Sequence, residues 1–253
     1  MDRKVAIITG AAGGIGRKVV KKFLDKGYMA VLVDLNEQAL INAAQQEGFD
    51  QEMITCCPLD ITNEEAVKTA IEKLADKLGH IDVLVNTAGI CGVYSEAVDY
   101  EFANFRKIYE VNVFGTFLMI KYTLPVMLKQ QKGSIVNFGS VSGMTGYKYE
   151  VGYGSSKAAV IALTQNVANE YGSRGIRVNS VSPGWVHTAM MAKTLDNYRQ
   201  LGIDNPEEWI ESGPIGRPAE PEEIADGVYF LCSEEAKYIT GANLLIDGGM
   251  LLR

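Results

Sequence analysis

Short apolar runs alternate with longer amphipathic ones along the whole chain, a pattern that folds as a parallel sheet wrapped by helices. Val5–Thr9, Met29–Asp34, Met53–Pro58, Ile81–Asn86, Ser134–Gly139, Arg177–Val181 and Asn243–Ile246 read as strands. They are rich in Val, Ile and Leu without strict alternation, as strands buried on both faces are. Between them, Gly14–Lys26, Glu37–Glu47, Glu64–Leu78, Glu101–Lys129, Gly152–Tyr171 and Pro221–Cys232 read as helices. Asn63 ahead of two glutamates, and Pro221 ahead of Glu222 and Glu223, are helix-start signals. No linker or repeat interrupts the series, so residues 1–253 are expected to form one domain. From Val186 to Ala219, however, no strand or helix is legible. A stretch that long inside a compact domain is expected to act as a lid over a site, at about 186–219.

With 47% hydrophobic and 22% charged residues, the chain can build a sizeable core. Its net charge of −7 argues against nucleic acid or an anionic membrane as partner. No apolar run is read as approaching the ~20 residues of a membrane span, and Met1–Gly16 turns glycine-rich too early for a signal peptide. A cytoplasmic location is expected, with Cys56, Cys57, Cys91 and Cys232 as free thiols. Cys56 and Cys57 should face opposite sides of their strand. His80 and His187 are the only histidines, so no zinc site is expected.

The first strand runs into Thr9-Gly10-Ala11-Ala12-Gly13-Gly14-Ile15-Gly16 and then into a helix. Glycines there allow a tight turn and close approach of the backbone to a pyrophosphate, whose charge sits against the helix N-terminus. Asp34 ends the second strand, 18 residues after Gly16, where an acid accepts hydrogen bonds from the adenosine ribose and repels a 2′-phosphate. Leu35, Asn36 and Glu37 offer no cation, and Arg17 reads as part of the helix face, so the cofactor expected is NAD.

Ser140 follows the fifth strand, and Tyr153 and Lys157 lie one helical turn apart. An ammonium beside a phenol favours the phenolate, drawing down a pKa of about 10 in isolation. Such a tyrosine can give or take a proton near neutral pH. Ser140 is placed to hold a substrate oxygen beside it.

Together these motifs resemble the short-chain dehydrogenase/reductase family over essentially the whole length. The resemblance implies a Rossmann-type doubly wound α/β fold, with a seven-stranded parallel sheet in the order 3-2-1-4-5-6-7. It implies hydride transfer between a nicotinamide and a carbinol carbon, with catalytic Asn112, Ser140, Tyr153 and Lys157. Asn112 would hold a water linking Lys157 to solvent. The cofactor contacts it implies are Gly10, Gly14, Ile15, Gly16, Asp34 and Leu35, with Asp60 and Ile61 at the adenine and Asn86, Ala88 and Gly89 after the fourth strand. Tyr153, Lys157, Pro183, Gly184, Val186 and Thr188 would surround the nicotinamide and its ribose, and Ile246-Asp247-Gly248-Gly249 is similar to the family's last strand. Thr87 departs from the family's usual asparagine, which puts one sheet-bracing hydrogen bond in question.

By the same resemblance Ser140, Ser142, Tyr147 and Trp185 contact substrate, in a pocket also lined by Cys91, Val93, Val141, Met144, Met190 and Met191. This set has no clustered Arg or Lys, so it fits a small neutral ketone or secondary alcohol. A 3-oxoacyl-carrier-protein reductase, a hydroxysteroid or polyol dehydrogenase, and more remotely a non-catalytic NAD-binding sensor are the alternatives. His187 reads as incidental. Apolar residues wrap more than one face of Glu101–Lys129 and Gly152–Tyr171, so a homo-oligomer is expected, a tetramer before a dimer.

Overall fold

Seven parallel strands form one sheet in the order 3-2-1-4-5-6-7, as expected. In this computed structural model, residues 3–209 and 213–252 are described, without the Trp209 side chain. Expectations that involve residues 1–2, 210–212 and 253 fall outside them. In chain order the elements are β1 (Val5–Thr9), α1 (Gly14–Asp25), β2 (Met29–Asp34), α2 (Glu37–Glu47), β3 (Ile54–Pro58), α3 (Glu64–Leu78) and β4 (Val83–Asn86). Then follow α4 (Phe102–Tyr109), α5 (Thr116–Gln130), β5 (Gly133–Phe138), α6 (Val151–Tyr171), β6 (Ile176–Pro183), α7 (Ala189–Gln200), α8 (Pro221–Cys232) and β7 (Asn243–Ile246).

Every strand but β7 serves two cores, because successive side chains point to opposite faces. Ala6 and Ile8 of β1 pack with Phe23 of α1, Leu40 of α2 and Val228 of α8. Val5 and Ile7 pack with Ile71 of α3, Met119 of α5 and Val167 of α6 on the other face. Cys56 joins the first core and Cys57 the second, so the neighbouring thiols do face opposite ways, and all four cysteines are free.

Two segments differ from the sequence expectation. Glu101–Lys129 is not one regular helix: a π-helical stretch, Glu110–Gly115, separates α4 from α5 and holds Asn112. The apolar pattern runs on through the bulge, which is why the sequence reads as a single helix. Phe102–Gln130 is long and apolar enough, by length and composition, to cross a membrane, contrary to the reading that no run comes close. Here half of its apolar window is buried inside the protein.

The second difference is α7, inside the stretch where no element was legible. Thr188 caps it, its hydroxyl accepting the Met191 N–H at 3.4 Å. Its buried residues are Thr194, Leu195, Asn197 and Tyr198, half of them polar, so no apolar stripe marks the helix. The base of this stretch is pinned, since Ala219 N–H donates to the Trp185 carbonyl at 2.9 Å and His187 N–H to the Ala219 carbonyl at 3.0 Å. His187 itself pairs with Glu220 at 2.7 Å.

Candidate active site

The strand order reverses between β1 and β4, and the carboxyl ends of β1, β4, β5 and β6 open a crevice of the kind in which α/β sheets bind ligands. At its floor, Gly10 adopts a left-handed φ of 62°, and a Cβ there would come within 2.9 Å of the Ala88 backbone. A Cβ on Gly16 would run into the Gly10 carbonyl. The turn thus needs glycine for its own closure. α1 begins at Gly14 with no side chain capping it, leaving the first-turn N–H groups of Gly14, Ile15 and Gly16 without helical partners.

Asp34 is tied to the lip of this turn. Its carboxylate accepts the Ala12 N–H at 3.1 Å and the Leu35 N–H at 2.8 Å. Arg17 is occupied by Glu47 at 3.5 Å and Gln46 at 3.5 Å, on the α2 side, as the helix-face reading anticipated. Asp60 accepts two hydrogen bonds from Thr62, which hold its carboxyl below the usual range. Ile61 is buried against Gly115 of the π-helical stretch.

Asn86 is buried and donates to Asn137 at 2.9 Å, and Asn137 donates onward to Thr164 at 2.9 Å. This polar chain across β4, β5 and α6 leaves Asn86 Oδ1 buried without a partner, beside the glycine turn. Thr87 keeps the brace that the lost carboxamide put in question: its hydroxyl donates to the Thr9 carbonyl, while the Ala88 N–H donates to the Thr9 hydroxyl at 3.1 Å.

Asn112 accepts the Ile90 N–H at 2.8 Å and donates to the Ile90 carbonyl and the Ser156 hydroxyl, both at 3.0 Å. Its side chain therefore clamps the loop after β4 to α6. Its main-chain carbonyl accepts the Thr116 hydroxyl at 2.8 Å. A Cβ on Gly89 would come within 3.2 Å of Asn112 Oδ1 and 3.4 Å of Lys157 Nζ, so a side chain there would press on both.

Ser140, Tyr153 and Lys157 come together in one cavity of about 140 Å³. The Lys157 ammonium donates to the Phe138 carbonyl at 2.9 Å and lies 5.7 Å from the centre of the Tyr153 ring. Burial draws the lysine down to about 8. The same burial pushes the Tyr153 hydroxyl well above the ordinary phenol value; Ser140 draws it back in part, and Glu150 and Cys91 push it further up. The expected lowering of Tyr153 is thus outweighed in this geometry, because desolvation of the phenolate dominates.

Ser142, Tyr147 and Trp185 line the cavity as expected, with Cys91, Val141, Met190 and Met191. Pro183, Gly184, Val186 and Thr188 form the wall facing Ile15, and a Cβ on Gly14 would meet the Thr188 methyl at 2.8 Å. Val93 and Met144 are corrections. Neither lines the cavity; both are about half exposed, and Met144 sulfur accepts from Asn243 instead. Tyr94, Glu150, Thr194 and Met250, not singled out in the sequence, take their place. Glu150 had one legible signal, since it precedes Tyr153 by three and Lys157 by seven and so shares their helix face.

A fold wound this way, with a glycine turn at its switch point and a largely buried Ser-Tyr-Lys cluster above it, defines a class. The model of the family described as enoyl-(acyl carrier protein) reductase matches residues 10–251. The chain is 34% identical to the 3-oxoacyl-(acyl-carrier-protein) reductase FabG of Thermotoga maritima, over 100% of this chain and 99% of that one. An NAD+-bound xylitol dehydrogenase structure superposes with a TM-score of 0.91 at 32% identity, covering 97% and 98% of the two chains. ElxO with NADP bound does so with a TM-score of 0.90 at 35% identity, over 100% of both. This chain belongs to the short-chain dehydrogenase/reductase family, an oxidoreductase family.

Proposed function

We propose that this protein is an NAD(H)-dependent oxidoreductase that interconverts a secondary alcohol and a ketone. The observation that carries this reading is the convergence of Ser140, Tyr153 and Lys157 in a cavity continuous with the glycine turn. The residues fit a dinucleotide: unpartnered N–H groups at the start of α1 suit a pyrophosphate, Asp34 suits a ribose, and Asn86 Oδ1 is an unused buried acceptor. When bound, the nicotinamide supplies or receives the hydride. Asp60 and Ile61 would flank the adenine, and Pro183 to Thr188 would cover the nicotinamide.

Ser140 orients the substrate oxygen and Tyr153 exchanges the proton with it. A phenol is protonated at neutral pH, and burial, which raises the Tyr153 hydroxyl further, reinforces that state, so the group can protonate a ketone. Taking a proton from an alcohol requires the phenolate, which the Lys157 ammonium favours. The Asn112 carbonyl, which accepts the Thr116 hydroxyl, would hold the water that carries protons onward from Lys157.

Lys157 is the only cation lining the cavity among the described residues, so a small neutral substrate fits better than a carboxylate or phosphate. A 3-oxoacyl thioester is the second reading, favoured by the Thermotoga relative. The chain's net charge of −7 weighs against docking of an acidic carrier protein. Exposed Phe102, Phe114, Phe117 and Val151 on and beside α4, α5 and α6 support a homo-oligomer, a tetramer in a cytoplasmic setting. Oxidation of NADH across a panel of ketones, diketones, sugars, steroids and acyl thioesters tests the reaction. Absence of turnover with every neutral ketone would remove it.

A further inference from the structure

Strand β7 is followed by Asp247-Gly248-Gly249, which the reaction outlined above leaves without a part. Gly248 and Gly249 hold left-handed φ angles of 63° and 81°, a succession that glycine adopts at little cost. The Met250 N–H donates to the Asp247 carbonyl at 3.2 Å and closes a tight turn. One oxygen of the Asp247 carboxylate accepts the Gly249 N–H at 2.9 Å, and the other accepts the Leu251 N–H at 3.0 Å. Met250–Leu252 then forms a single short helical turn.

This turn is wedged between two other segments. On one side it backs onto Gly184, where a Cβ would come within 3.1 Å of the Asp247 Cα. On the other, the Ile215 N–H donates to the Gly248 carbonyl at 3.2 Å, and a Cβ on Gly213 would come within 2.7 Å of the Met250 nitrogen. Held so, Met250 lines the catalytic cavity and is only 4% exposed. Met190 and Met191, from the start of α7, line the same cavity. Three thioether side chains from two distant parts of the chain thus contribute to one wall system. Such chains are polarizable and fill irregular space, and they offer no hydrogen-bond donor.

We propose that Met250 is a specificity-determining residue: it sets the length of the apolar substituent that a ketone or secondary alcohol can carry beside its reacting carbon. The inference rests on the alcohol–ketone reading of the site. Ser140 and Tyr153 take the oxygen, so the rest of the substrate meets the remaining walls. A polar substituent against thioethers would lose its water without gaining a hydrogen bond. Met250 acts by occupying space. Truncation to alanine removes a methylene, the sulfur and the terminal methyl, and the surroundings refill such a gap only in part, leaving room for about two more carbons of substrate.

The test measures kcat/KM for reduction of the straight-chain methyl ketones from butanone to decanone, with NADH, in wild type, Met250→Ala and Met250→Phe. In the wild type the value is expected to climb with chain length and then to fall by about tenfold or more once the chain is too long, the scale of one methylene in an apolar pocket. Met250→Ala should move that fall about two carbons toward longer chains, and Met250→Phe should move it toward shorter ones. The dissociation constant of NADH should stay within about threefold of wild type in both. No fall in the wild type, or a fall at the same length in all three proteins, overturns the proposal. So does a clear preference for hydroxylated ketones over methyl ketones of equal length, which would make the substituent polar. Should the alanine variant not fold, Met250→Val, which also shortens the side chain, decides by the same shift.

Calorimetric titration of the NAD-loaded Tyr153→Phe protein with the matching secondary alcohols, with and without Met250→Ala, separates the two levels of inference. If the wild type reduces no ketone, the reaction assigned above fails, while affinity that drops beyond a set chain length and recovers in Met250→Ala still upholds the role of Met250. Affinity whose length dependence is indifferent to Met250→Ala overturns it, as does the absence of binding at every length.

Discussion

The two halves of the crevice are built in different ways. The floor, from the glycine turn to Asp34, is made of residues near in sequence, held by backbone hydrogen bonds such as Ala11 N–H to the Val33 carbonyl at 3.1 Å. The wall around the cavity is assembled across long separations by side chains. Tyr94 meets Thr194 at 3.3 Å, Asn197 donates to the Gly92 carbonyl at 3.2 Å, and the Tyr94 and Tyr198 rings stand edge to face at 5.3 Å. A local backbone motif fixes what the floor can hold. The wall is held by side chains, so single substitutions there are expected to change what the cavity accepts without disturbing the sheet.

The comparison breaks most readily at Lys157, which stands in the wall and would reach the nicotinamide ribose of a dinucleotide held by the floor. Lys157→Ala is expected to weaken NADH binding and to lower kcat/KM about 1000-fold, because it removes a positioning contact and the charge that favours the phenolate. Fluorescence titration and steady-state kinetics measure the two effects. A loss confined to one of them would mean that Lys157 serves only one half.

Asp34 sharpens the account of the floor. The wild type is expected to prefer NAD over NADP by at least about 100-fold in kcat/KM, roughly 2.7 kcal/mol, and Asp34→Ala should narrow that gap to within about tenfold. Equal use of NADPH and NADH by the wild type would contradict the role given to Asp34. On the wall, Asn197→Ala is expected to raise KM for the substrate about fivefold and leave the dissociation constant of NADH unchanged, since it loosens α7 from the loop after β4. A matching loss of NADH affinity would mean that the two halves are mechanically coupled.

A further effect is on stability. Lys157 has its pKa near 8 in the folded protein against an ordinary 10.5. Between those values the unfolded chain binds more protons, so stability rises with pH over that window and the penalty is fully present below about pH 8. Lys157→Met, of similar length, should stabilise the cofactor-free protein by roughly 1–3 kcal/mol at pH 7, less what is lost with the bond to Phe138, with the gain fading toward pH 10.5. Denaturant titrations at both pH values check the sign.

The same contrast explains what was legible in the sequence. The glycine turn, Asp34 and the Tyr153–Lys157 pair are short-range patterns, and the sheet order followed from the resemblance they carry. Asn112 was identifiable, but the π-helical stretch around it was hidden by an unbroken apolar pattern. The helix α7 escaped because Thr194 and Asn197 face Tyr94 and Gly92 rather than an apolar core. Glu150 lies in the polar run Lys148-Tyr149-Glu150, which reads as solvated surface until the left-handed turn at Tyr149 brings it inward. Val93 and Met144 failed as lining residues because neighbourhood in sequence does not fix which way a loop side chain turns.

The central claim is that Tyr153 exchanges the proton in an NAD(H)-dependent interconversion of alcohol and ketone. Its most direct test is Tyr153→Phe, with NADH binding and ketone-dependent NADH oxidation measured on the same preparation. The expected result is NADH affinity within about threefold of wild type with kcat lowered by at least about 1000-fold, because only the proton donor is removed. Retention of more than a few per cent of wild-type kcat would contradict the account.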